Sequence, residues 1–71
     1  MNRRLLRSVM ALHGDTNKDL AEHLGITVQS VSAKINEANT EFKQGEIAKI
    51  RDRYGLTADQ VEAIFFAEKV S

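Results

Sequence analysis

The stretch LGITVQSVSAKI, Leu24 to Ile35, decides how the rest of the chain is read. Gly25 stands where a helix can end in a left-handed residue at little steric cost, and Ile26 can then pack back on the turn just finished. Thr27 has the hydroxyl that starts a new helix, so one helix stops and another begins within three residues. Beyond Thr27, steps of about 100° per residue put Val31 and Ile35 on one side, while Gln29, Ser30, Ala33 and Asn36 project from the other. Surface helices with no contact to make carry Glu and Lys more often, so this face is expected to meet a macromolecule.

Nearly the same phrase, YGLTADQVEAIF, returns from Tyr54 to Phe65. Gly55 and Leu56 repeat the stop, and Thr57 with Gln60 forms a capping-box pattern. The repeat is read as corner chemistry, because a solenoid needs at least three copies of its unit.

Working outward from these corners gives five helices and an all-α fold. The first is expected from about Asn2 to Leu12, with Leu5, Val9 and Leu12 as its core stripe at i, i+4 and i+7, and Gly14 ends it. Asp15 or Thr16 caps the second, with Asp19 placed to return a hydrogen bond to Thr16, and Leu20, Ala21 and Leu24 facing inward. A polar connection from Glu37 to Lys43, with Phe42 turned inward, leads to a fourth helix bearing Ile47, Ile50 and Tyr54. The fifth carries Val61, Ile64 and Phe65. Ile64, Phe65 and Phe66 in succession exceed what one helix face can bury, so one is left for a partly covered site or a dimer contact.

Seventy-one residues make a single domain, 1–71, with no room for a large enzyme cleft. The chain has no cysteine, hence neither disulfides nor thiolate metal ligands, which suits a reducing cytoplasm. No apolar run approaches the roughly 20 residues of a membrane span, and Met-Asn-Arg-Arg opens an amphipathic segment, not a signal peptide. His13 and His23 lie on different helices with no metal-site spacing, and no nucleophile–base pair or phosphate-cradling glycine loop is present. No enzymatic step, cofactor, metal or small-molecule substrate is therefore expected.

The formal net charge is zero, although proteins that grip nucleic acid usually carry a basic excess. The charge is unevenly spread: Arg3, Arg4 and Arg7 make the first fourteen residues basic, whereas Asp15, Asp19, Glu22 and Glu37 outnumber Lys18 and Lys34 in the next segment. Of the two corners, the second begins Ala58-Asp59-Gln60 and carries Glu62, so carboxylates occupy its positive dipole end and would repel phosphate. The first has no acid between Thr27 and Asn36 and offers Gln29 for a base edge, hydroxyls for phosphates and Lys34 as a cation.

From Thr16 to about Phe66 the chain resembles the helix-turn-helix domain of lambda-type phage repressors and Cro proteins. The residues that carry the resemblance are Thr16-Asn17-Lys18-Asp19-Leu20-Ala21, Leu24-Gly25-Ile26-Thr27, Val31 and Ile35, and the helix-turn-helix unit spans about residues 16–36. In that family the helix beginning near Thr27 enters the major groove and the first residues of the preceding helix hold a phosphate. The resemblance implies that Thr27, Val28, Gln29, Ser30, Ser32 and Ala33 lie at or near the ligand, with Asn17, Lys18, Lys34 and Asn36 beside its backbone. Two departures stand out: Asn17 replaces a frequent glutamine, and Val28 occupies a position that is often polar. The later segment, from Glu41-Phe42-Lys43 to Ile64-Phe65-Phe66, is similar to small regulators of temperate phages of Gram-positive bacteria, among them Cro-like proteins and a modulator of repression.

The expected function is transcriptional regulation in a lysis–lysogeny switch, with the third helix on double-stranded operator DNA and a possible homodimer doubling the footprint. The alternative is an antirepressor that binds a partner phage repressor through the same surface and covers its DNA-reading helix. Zero net charge and Val28 on the presenting side favour the alternative.

Overall fold

The computed structural model describes residues 1–66 and contains five helices: α1 (Arg3–Leu12), α2 (Asn17–Leu24), α3 (Val28–Ile35), α4 (Gln44–Tyr54) and α5 (Ala58–Phe65). Among the described residues there is no strand, and no helix is long and apolar enough to cross a membrane.

The caps form as their residue types require. Thr16 and Asp19 make a reciprocal box at the start of α2: the Asp19 N–H donates to Thr16 Oγ1 at 3.3 Å and the Thr16 N–H donates to Asp19 Oδ2 at 2.9 Å. Gly25 is left-handed at φ 71°, and the Ile26 N–H donates back to the Ala21 carbonyl at 3.0 Å. The second corner repeats this with Gly55 at φ 61° and the Leu56 N–H on the Arg51 carbonyl at 3.0 Å. Thr57 and Gln60 form another reciprocal box.

One apolar core unites Leu6 and Met10 of α1, Leu20, Ala21 and Leu24 of α2, Val31 and Ile35 of α3, Phe42, Ile50 and Tyr54, Leu56, and Ile64 of α5. The apolar inward positions of α2 to α5 follow the sequence pattern, and Phe42 is buried as expected. The first helix does not. Leu6 and Met10 are its buried residues, Val9 is half-buried, and Leu5 and Leu12 face water. Apolar residues cover nearly half the circumference of α1, so periodicity alone admits two rotations. Bonds made at its two ends select one: the Asn2 N–H donates to the distant Ile64 carbonyl at 2.7 Å, and the Asp15 N–H in the following turn to the Met10 carbonyl at 2.8 Å. Of the three successive apolar residues in α5, Ile64 is buried and Phe65 half-buried with its ring edge-on to Phe42 at 5.9 Å. Phe66 is the one left over, 54% exposed beside a groove of about 420 Å³ that Phe42, Ile47 and Phe65 also line.

A polar clasp ties the α1–α2 turn to the end of α4. Asp15 accepts from Arg53 Nε at 2.6 Å, Arg53 Nη2 at 3.0 Å and the Tyr54 hydroxyl at 2.7 Å, while the His13 ring lies 4.9 Å from that of Tyr54. The Arg53 guanidinium, then the Tyr54 hydroxyl, pull the Asp15 carboxyl down to about 2 from its ordinary 3.8. A lowered carboxyl stabilises the fold above its unfolded value and ceases to do so as pH falls through the folded one. The stability advantage of the natural chain over Asp15→Asn should therefore be complete above about pH 4 and vanish towards pH 2, in urea titrations run at each pH. An advantage unchanged across that window would show that the clasp does not hold the carboxylate.

Candidate macromolecular interface

Helix α3 is seated by three residues. Val31, Lys34 and Ile35 are buried, and the remaining positions turn outward. Thr27 begins the helix with its Oγ1 accepting from the Ser30 N–H at 3.1 Å and donating to Ser30 Oγ at 3.0 Å, so both hydroxyls contribute to the corner itself. Val28 follows at 41% exposure, Gln29 is exposed, and Ser32 and Ala33 are half-buried beside them. At the start of α2, Asn17 is half-buried and Lys18 exposed. No side-chain hydrogen bond within the described residues engages Asn17, Lys18, Gln29 or Ser32, leaving these groups available to a ligand.

Two of the residues expected beside a ligand's backbone have other employment. Lys34 is 8% exposed, and its Nζ donates to both carboxylate oxygens of Glu46, at 2.6 and 2.8 Å. Its stem lies inward because position 34 is three residues past Val31, on the core stripe and not on the presenting side. Burial would raise the Glu46 carboxyl, yet Lys34 and the Lys43 N–H at 2.9 Å outweigh it and hold the group below its ordinary value. The expectation that Lys34 supplies a cation to a ligand is thus corrected: the charge is consumed within the chain. Asn36, which is exposed at the end of α3, accepts from Arg3 Nη1 at 3.1 Å.

That contact places the start of α1 beside the end of α3, a relation the sequence could not supply. Arg7 lies one turn further along the same side of α1. Glu46 was likewise missing from the sequence reading, although a lysine at the core spacing of Val31 and Ile35 implies a buried acidic partner. The surface of α3 left turned outward is Val28, Gln29, Ser32 and Ala33, with Arg3 holding Asn36 at its far end. It is mostly neutral, with an apolar tip.

Chemically, such a surface offers amide and hydroxyl groups around an apolar side chain. Among the described residues, no three His, Asp or Glu side chains converge on a site that could hold a metal ion. Comparison with protein-family models, with curated proteins and with solved structures finds no match for this chain.

Proposed function

We propose that the chain is a lambda-type helix-turn-helix regulator of a temperate-phage genetic switch, working through the outward face of α3, and that its target is a partner repressor protein. The observation that carries this reading is the burial of Lys34 against Glu46. With that charge neutralised, the presenting turn of α3 offers Val28 and Gln29 and no cation, in a chain whose net charge is zero. A face of this kind gains more from an apolar side chain closing over Val28 than from phosphates, whose capture needs several free cations. Covering the repressor's own DNA-reading helix would make the chain an antirepressor.

Operator DNA is the second reading, and one observation favours it. Arg3 sits at the end of α3, so α1 contributes basic groups at the border of the face, where Lys18 and Asn17 could grip phosphate from the other side.

Salt separates the two. Binding to DNA through six or more phosphates weakens about a thousandfold or more between roughly 50 and 200 mM salt, whereas a contact centred on Val28 is expected to change little. The measurement is capture from phage-infected host extract at both salts, scored for co-purifying DNA and for a co-purifying repressor. Repressor retained at high salt is the expected result. Operator DNA recovered at low salt alone, with no repressor at either, overturns the first reading in favour of the second.

A further inference from the structure

We propose that the groove beside Phe66 is a docking site for a short segment of another protein in which a lysine or arginine stands next to an apolar side chain. Phe42, Ile47, Phe65 and Phe66 line this groove of about 420 Å³. Phe42 belongs to the core and braces the half-buried Phe65 ring edge-on at 5.9 Å, so the apolar lining is held in place from within. Phe66, 54% exposed, is the aromatic side chain of that lining left open to water. Apolar surface of this kind with charged groups around it is the anatomy of a protein contact. None of Val28, Gln29, Ser32 and Ala33 lines the groove, so the role proposed for α3 does not account for it.

The charged groups of the lining select the occupant. Two cations are present and both are already paired, the Met1 ammonium with Glu37 Oε1 at 2.8 Å and Lys34 with Glu46 at 2.6 Å. Glu41 is the carboxylate in excess. It is exposed in the connection between α3 and α4, one residue before Phe42, and no described residue bonds it. A partner's ammonium or guanidinium can pair with Glu41 while a neighbouring apolar side chain enters the groove against Phe66, whereas an acidic segment would meet a like charge. The volume takes only a few side chains, which suits a short segment and not a broad protein face. With an exposed ion pair and few apolar contacts, the affinity should be modest and should fall as salt rises.

Selection from a random hexapeptide library on the immobilised full chain tests this. The selected peptides are expected to carry lysine or arginine within two residues of a large apolar side chain. In titrations, Glu41→Lys and Phe66→Ser should each bind a selected peptide about tenfold or more weakly than the natural chain does, and both should keep its circular dichroism because both positions are exposed. Exchanging the peptide's basic residue for glutamate should reverse the order, so that Glu41→Lys becomes the tighter binder. Val28→Asp should leave these affinities unchanged, which separates a failure here from a failure of the role proposed for α3. Selection of no peptide, the result if residues 67–71 fill the groove, overturns the proposal, as do selected peptides without a basic residue or with affinities untouched by both groove variants. A dimer of the natural chain that Phe66→Ser abolishes would give the groove to a second copy and overturn it equally.

Discussion

Lys34→Met is expected to destabilise the fold by about 2–4 kcal/mol, towards the lower end of the range for breaking a buried ion pair because the rim of this pair touches water. The side chains of Lys34 and Glu46 are 10% and 13% exposed, and removing the ammonium leaves a carboxylate with only the Lys43 N–H to satisfy it. In a domain of this size, whose total stability is about 5–10 kcal/mol, a loss of that order populates the unfolded state measurably on warming. The double variant Lys34→Met with Glu46→Leu should recover most of the loss, since two apolar side chains can replace a buried pair at little cost. The check is a double-mutant cycle from urea midpoints. A single variant as stable as the natural chain would mean that Glu46 is better solvated than its burial implies. The cycle also bears on function: once folded, the double variant should still capture its target, because Lys34 makes no part of the presenting face. Loss of capture in a stable double variant would return Lys34 to the role of phosphate ligand and favour DNA.

How much of this was legible beforehand depends on how local the determining interactions are. The two glycine corners and the Thr16 and Thr57 boxes were readable, because each is settled by a few adjacent residues whose cap chemistry has one geometric solution. The apolar inward positions of α2 to α5 followed from period alone. The rotation of α1 did not, because Leu5, Val9 and Leu12 form an apolar stripe as regular as the true one, and contacts to Ile64 and to the α1–α2 turn choose between them. Lys34 failed for a related reason. Its charge suggested a solvent-facing role, while its spacing from Val31 already placed it on the core side, and only its partner twelve positions away in α4 makes that burial tolerable. The face itself was legible as residue types, but the share of those residues free to act was not: Thr27 and Ser30 hold the corner, Lys34 is buried and Asn36 is held by Arg3.

What remains free centres on Val28, which supplies the second large effect. Val28→Asp should reduce capture of the target by about thirtyfold or more, the equivalent of losing one dominant contact of about 2 kcal/mol. The substitution leaves the fold intact for two reasons. Val28 is the first residue of α3 and 41% exposed, so no core volume is lost. A carboxylate in a first turn that contains no acid also interacts favourably with the helix dipole, by about 0.3–1 kcal/mol. Stability and binding should therefore move in opposite directions, a pattern that general unfolding cannot produce. Because a carboxylate there would also repel phosphates, Gln29→Ala is the discriminating companion. On DNA it relaxes preference at one base position at a cost of about 1–3 kcal/mol, whereas on a protein it leaves any residual base preference unchanged. Undiminished capture by a folded Val28→Asp variant would show that the outward turn of α3 is not the surface this protein works with.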